Sequence, residues 1–228
     1  MNQKQLNDYI LELGVSKVSY CNLEEFLPEK YKHLKSGISF AIHLSEQIID
    51  EIDKLDGPTH TYFHHYRTVN SFIDQISLKI MMILQQHGFL ALAVPASQTI
   101  NEEGWNFKGV FPHRTAATRS GLGWIGKSCC LITEEFGPRI RLGTVLTNMS
   151  LEYNKPIDIS KCGECNECVK ACPAIALKGA TWNPGMEREE IIDARACSNY
   201  MSTHYKHIGR GSVCGICIKV CPKGGRVG

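Results

Sequence analysis

Eight cysteines in the last third of this 228-residue chain constrain its fold more than any other feature. They form two runs. The first is Cys162, Cys165, Cys168 and Cys172-Pro173; the second, after an isolated Cys197, is Cys214, Cys217 and Cys221-Pro222. A loop carrying three cysteines at such short intervals can wrap one polynuclear centre, giving one thiolate to each of three irons. The fourth cysteine of such a run, placed before proline, ligates the neighbouring centre instead. Proline turns the chain away there and offers no backbone N–H. The pattern predicts two cubane [4Fe–4S] clusters with crossed ligation. Cys162, Cys165, Cys168 and Cys221 are expected on the first, and Cys172, Cys197, Cys214 and Cys217 on the second. Zinc would accept a Cys-x2-Cys pair, but it does not need the longer run closed by proline. Disulfides need an oxidising compartment, and nothing in the sequence points to secretion.

The segment Met1 to Asp8 has no apolar core of signal-peptide type, and no apolar run approaches the length of a membrane span. Eleven cysteines in such a chain fit metal ligation in a reducing cytoplasm, without a membrane partner. Hydrophobic content of 43% and charged content of 21% describe an ordinary globular protein with room for one large or two modest domains. The formal charge is +2. Each oxidised cluster with its four thiolates adds about −2, so the loaded protein falls to about −2. Net charge therefore gives no argument for nucleic-acid binding. The basic stretch His204 to Arg210 reads as a solvated loop.

Residues Leu6 to Leu13 read as a short amphipathic helix stopped at Gly14. Val15 to Tyr20 and Ile38 to Leu44 read as strands. Apolar residues at Val69, Phe72, Ile73, Ile76, Ile80, Ile83 and Leu84 predict a long helix over 66–86 with one buried face, closed by His87-Gly88. Short strands are expected at Leu90 to Val94, Cys129 to Thr133 and Gly143 to Leu146. The fold class that follows is a mixed α/β domain over residues 1–155, then a ferredoxin-like double-cluster domain over 156–228. Cys21, Cys129 and Cys130, on predicted strands, are expected to be core thiols.

Gly121-Leu122-Gly123-Trp124-Ile125-Gly126-Lys127-Ser128 satisfies the P-loop spacing and also G-x-G-x-x-G. Both need a strand before the loop and a helix after it, so that helix-terminal N–H groups face phosphate. Here the order is reversed, with a predicted helix at His113 to Arg119 and a predicted strand after Ser128. Two uses are left: a Gly-rich turn packing on the clusters, or a close backbone approach to a large flat cofactor with Lys127 at its polar edge.

Arg114-Thr-Ala-Ala-Thr-Arg119-Ser-Gly-Leu-Gly-Trp-Ile-Gly-Lys127, then Leu142-Gly-Thr-Val-Leu-Thr147, then the cysteine runs, resembles epoxyqueuosine reductase, a family related to the corrinoid reductive dehalogenases. The resemblance covers roughly residues 60–225. It implies a cytoplasmic enzyme with two [4Fe–4S] clusters and cobalamin that reduces the epoxide of a modified tRNA base. It also implies an electron donor such as a ferredoxin or flavodoxin. On the resemblance, Arg114, Gly121, Gly123, Trp124, Gly126, Lys127 and Arg141 are the candidate cobalamin contacts. The family places a catalytic aspartate upstream of its Arg-Ala helix, whereas this chain has no Asp between Asp74 and Asp158. His113, Glu102 and Glu103 are the candidate proton donors in its place. The family also continues into a helical-repeat domain that helps grip tRNA, while this sequence stops seven residues after Cys221. A short homologue acting on another electrophile is therefore a second expectation, and a non-catalytic electron carrier that docks a partner is a third. Arg139 and Arg141 could share a strand face and bind carboxylates. His64, His65 and Tyr66 are expected just before the long helix.

Overall fold

The computed structural model describes residues 1–98, 100, 107–211 and 213–224. In chain order the elements begin α1 (Gln3–Glu12), β1 (Lys17–Asn22), β2 (Ser36–His43), α2 (Glu46–Asp50), α3 (His60–Gln86), β3 (Ala91–Val94) and α4 (His113–Arg119). They continue β4 (Trp124–Ile125), β5 (Leu131–Ile132), β6 (Ile140–Thr147), α5 (Glu167–Lys170), α6 (Arg188–Ile191), α7 (Ala194–His204) and α8 (Ile216–Lys219). The chain forms two compact units. The first is Met1–Ile42, Val69–Leu122 and Arg141–Ile157; the second is His43–Thr68, Gly123–Ile140 and Asp158–Gly228. The single linear division expected at residue 155 does not describe units that interleave in this way. Helices of four residues, such as α5 and α8, cannot stand by themselves. The second unit supplements them with earlier segments: α2 packs on α8, and α5 also packs on α8.

The first unit is built on a four-stranded sheet of order β1-β2-β6-β3. β1 pairs antiparallel with β2, with Tyr20 opposite Ile38, and β3 pairs antiparallel with β6, with Ala93 opposite Val145. From Ser36 to Ile42, β2 is buried on both faces, as expected of a central strand. Phe40 lies over Gly143 of β6, where an added Cβ would stand 2.1 Å from its ring. This glycine is therefore needed to admit the ring. α1 begins with a reciprocal cap: Asn2 Oδ1 accepts from the Gln5 N–H, and Gln5 Oε1 accepts from the Asn2 N–H, both at 2.9 Å.

α3 starts at His60, six residues earlier than the apolar periodicity alone indicates. The reason is local: the Thr59 hydroxyl accepts from the Tyr62 N–H at 3.0 Å and caps a polar first turn. His64, His65 and Tyr66 are thus helical residues and do not precede the helix. Ile73, Ile76, Ile80 and Leu84 are fully buried along one face of α3, and Phe72 is exposed. The helix closes as expected, with Gly88 at φ +82° and the Phe89 N–H donating to the Leu84 carbonyl at 3.0 Å. Among the described residues, no helix is long and apolar enough to cross a membrane.

Candidate metal centre

Two short helices organise the cysteines, and they are built alike. In each run the first cysteine is followed by a glycine with positive φ, Gly163 at +53° and Gly215 at +83°. A single helical turn then carries one cysteine, Cys168 on α5 and Cys217 on α8, and the last cysteine of the run follows before proline. Cys197 comes from elsewhere, in the first turn of α7, where Asp193 caps the helix by accepting from the Ala196 N–H at 2.9 Å. All eight thiols are partly buried, and none is in a disulfide.

Their mutual electrostatics sort them into two sets. Burial pushes the Cys168 thiol up to about 11, with Cys221 and Cys162 adding to the rise. Burial likewise raises Cys221 to about 11, and Cys162 and Cys165 are among its neighbours. Burial raises Cys197 to about 12, with Cys214 and Cys172 next in effect. A hydrogen bond with Cys130, then burial, raises Cys217 well above the ordinary thiol value, with Cys214 and Cys197 adding to it. A cavity of about 220 Å³ in the second unit is lined by Cys172, Cys197, Cys214 and Cys217, with Tyr62, Tyr66, Pro173, Leu177, Val213 and Ile216 among its walls. These are the four cysteines that the spacing assigns to one cluster. Ligation requires thiolates, so these raised thiols must release protons as metal binds, and rising pH favours loading. Four close thiolates also need a positive core between them, which a cubane supplies. Among the described residues, no three His, Cys, Asp or Glu form a site for a single metal ion. In number and donor type, the eight cysteines are what two cubanes with four thiolates each would require.

A ninth thiol belongs to this region. Cys130, expected to be a core cysteine, is only half-buried and is an electrostatic neighbour of Cys168, Cys197, Cys217 and Cys221. Its sequence position, outside both runs, gave no sign of this. Cys129 is buried as expected, and it adopts φ +61° to close the turn that brings Cys130 in. Cys21 is a core thiol of the first unit, within 3.5 Å of the Ala116 carbonyl, and burial pushes it up to about 12.

The Gly-rich segment has a use inside the chain. α4 precedes it and the β4–β5 hairpin follows, so a P-loop is excluded by context. In the first unit, a Cβ at Gly121 would lie 2.4 Å from the Lys155 carbonyl oxygen. In the second, a Cβ at Gly123 would lie 2.2 Å from the Ile132 oxygen, and one at Gly126 would lie 2.3 Å from Ile132 Cδ1 and 3.3 Å from Cys162 Sγ. The protein's own atoms fill the approach to each glycine. Trp124 is buried, its indole N–H without a partner among the described residues, and the Lys161 ammonium lies 5.4 Å from its ring centroid. Lys127 is buried and donates to Asn166 Oδ1 at 3.0 Å. These residues do not form an open cradle for a flat corrinoid.

The remaining candidates separate. His113, at the start of α4, has both ring nitrogens engaged: Nε2 donates to the Pro95 carbonyl and Nδ1 accepts from the Thr144 hydroxyl, each at 2.9 Å. Burial holds its pKa below the usual histidine value, so the ring is neutral and serves to pin α4 within the first unit. Glu102 and Glu103 lie outside the described residues. Arg114 is half-buried on α4, and Arg141 Nε donates to Asn70 Oδ1 at 2.9 Å; both are in the first unit. Arg139 does not share their setting. It is buried in the second unit, paired with Glu46 and, at 3.2 Å, with Asp50. Asp50 also binds Lys219 of α8 at 2.7 Å. His65 Nε2 accepts from the Ser45 N–H at 3.1 Å.

Residues 161–224 match the family of 4Fe–4S double cluster binding domains. An epoxyqueuosine reductase of Gloeobacter violaceus is 36% identical over 113 residues, which is 50% of this chain and 29% of that protein. The tetrachloroethene reductive dehalogenase of Sulfurospirillum multivorans is 35% identical over 114 residues, 46% of this chain and 22% of that protein. The chain thus spans 22% to 40% of the length of curated relatives such as these. Among solved structures, epoxyqueuosine reductase with an epoxyqueuosine-modified tRNA stem loop aligns at TM-score 0.60 and 18% identity, over 96% of this chain and 64% of that one. A reductive dehalogenase whose structure suggests a mechanism for B12-dependent dehalogenation aligns at TM-score 0.73 and 19% identity, over 95% and 31%. The fold is the one these proteins share, and over half of its length the chain is similar in sequence to epoxyqueuosine reductases.

Proposed function

We propose that this chain is an iron–sulfur oxidoreductase that passes single electrons through two [4Fe–4S] clusters to a corrinoid that reduces an electrophilic substrate. Epoxyqueuosine in tRNA is the first substrate to test, since a related structure holds such a stem loop. The observation that carries the reading is the sorting of eight thiols into two sets of four, one set lining its own cavity. Cys162, Cys165, Cys168 and Cys221 would hold one cluster, and Cys172, Cys197, Cys214 and Cys217 the other. When bound, the clusters supply one-electron transfer, and a corrinoid supplies a cobalt centre. The chain's own residues bind and shield. Pro173, Leu177, Val213 and Ile216 line the same cavity as the second set of thiols, and apolar walls of this kind would strengthen the electrostatics at a bound cluster. Corrinoid binding rests on kinship with the dehalogenases, and Arg114 and Arg141 of the first unit are the proposed contacts. Gly121, Gly123, Trp124, Gly126 and Lys127 are not included, because the chain itself fills the space beside them.

That filled space favours a second reading, in which the protein is an electron carrier that docks a partner without a corrinoid of its own. One experiment separates the two. The protein is reconstituted anaerobically, its iron counted, and cobalamin titrated while the visible spectrum is followed. About eight irons per chain are expected for two cubanes, together with a corrinoid spectral change. Four irons or none would sink the cluster assignment, and eight irons without a spectral change would leave the carrier. Turnover of an epoxyqueuosine-containing stem loop then tests the substrate. Cys172→Ser should remove the second cluster and spare the first; loss of the first in its EPR signal would show the partition reversed.

A further inference from the structure

Lys127 is 6% exposed, and its ammonium has one partner among the described residues, the neutral Asn166 Oδ1 at 3.0 Å. Arg139, about equally buried in the same unit, is held by two carboxylates, Glu46 and Asp50. A buried cation is costly unless an opposite charge faces it, and an amide oxygen does not supply that charge. The missing charge has a source nearby. Asn166 stands between Cys165 and Cys168, and the residue before Lys127, Gly126, approaches so closely that a Cβ there would lie 3.3 Å from Cys162 Sγ. A [4Fe–4S] cluster with four thiolates carries about −2 when oxidised and one more negative charge when reduced.

We propose that Lys127 is the resident counter-charge of the first cluster, and that its ammonium raises that cluster's reduction potential. The residue tunes the centre and touches no substrate. The proposal rests on the assignment of Cys162, Cys165, Cys168 and Cys221 to one cluster. It also gives the Gly-x-Gly-x-x-Gly-Lys segment a use that needs no nucleotide: the glycines let the β4–β5 hairpin close against its own chain, and the lysine at the turn is carried in towards the thiolates. Net charge and hydrogen bonds around a cluster set its potential. A positive charge favours the more negative, reduced state, so removing it must lower the potential.

The test uses the reconstituted protein, Lys127→Met and Lys127→Arg, with iron analysis and EPR-monitored potentiometric titration. Lys127→Met keeps the length and volume of the stem and removes the charge. It should retain about eight irons, and the potential of one cluster should fall by a tenfold change in its one-electron equilibrium constant, about 59 mV. The other cluster should move less, and Lys127→Arg should restore most of the shift. Wild-type protein that takes up no iron overturns the cluster reading and this one together. Eight irons in both proteins with an unmoved potential in Lys127→Met overturns the lysine assignment alone. If Lys127→Met loses iron, Lys127→Arg decides: iron retained by the arginine supports a charge requirement, and iron lost from both variants overturns it.

Discussion

The two units are held together by different means. In the first, four strands share ladders, and Leu6, Ile10, Ile38, Phe40 and Ile80 are wholly removed from water. In the second, three of the helices are single turns of four residues, and the eight cysteines between them are only partly buried. Burial of aliphatic side chains stabilises the first unit whether or not anything is bound. The second brings together thiols that repel one another as thiolates, a repulsion that a bound positive core would offset. Anaerobic chelation of the iron is therefore expected to act unequally. Hydrogen exchange at the α5 and α8 amides should rise to that of an unfolded segment, while β2 and β6 stay protected. Uniform loss of protection would show that the sheet, too, depends on metal.

That difference also explains what could be read in the sequence. The double-cluster domain was legible because cubane ligation fixes spacing along the chain, and Cys162 to Cys172 and Cys214 to Cys221 are nearly contiguous. The strands and the buried face of α3 were legible from periodicity. The hairpin was not: β4 and β5 have two residues each, and Gly123 and Gly126 are required by Ile132, a contact that no spacing rule reports. Nor was the fate of the arginines legible. Arg139 and Arg141 alternate as on one strand, but Arg139 precedes β6 and turns to Glu46 and Asp50. His113 looked available for proton transfer because its partners, Pro95 and Thr144, lie 18 and 31 residues away.

The converse of iron removal is a lesion confined to the sheet. Phe40→Ala removes a fully buried ring above Gly143 and should cost about 3–5 kcal/mol, the usual range for such a cavity. Chemical denaturation followed at the first unit should show that loss, with the iron content of the folded protein unchanged. Loss of iron in step with Phe40→Ala would break the distinction between the units.

A smaller effect comes from His113. Its folded pKa lies below the ordinary 6.5, chiefly through burial. The unfolded chain therefore takes up a proton that the fold refuses. The contribution of this residue is fully present above about 6.5 and is lost as pH falls below it, through the lowered folded value. Stability of the first unit should decline on that acid side, and His113→Gln should flatten the decline. An unchanged acid slope in the variant would mean that the ring titrates freely in the fold.

The smallest effect expected is at Cys130, and it sharpens the boundary between ligand and neighbour. Cys130 and Cys217 share a hydrogen bond. Once Cys217 is a metal-bound thiolate it has no proton to give, so Cys130 must be the donor. Hydrogen bonds to the sulfurs raise a cluster's potential by favouring the reduced state. Cys130→Ala should thus keep about eight irons, as two cubanes require, and lower the second cluster's potential by less than Lys127→Met lowers the first. Cys130→Ser, which keeps an O–H donor, should recover part of that shift. Loss of iron from Cys130→Ala would instead make Cys130 a ligand, and one of the eight cysteines in the two runs would have to leave the ligand set.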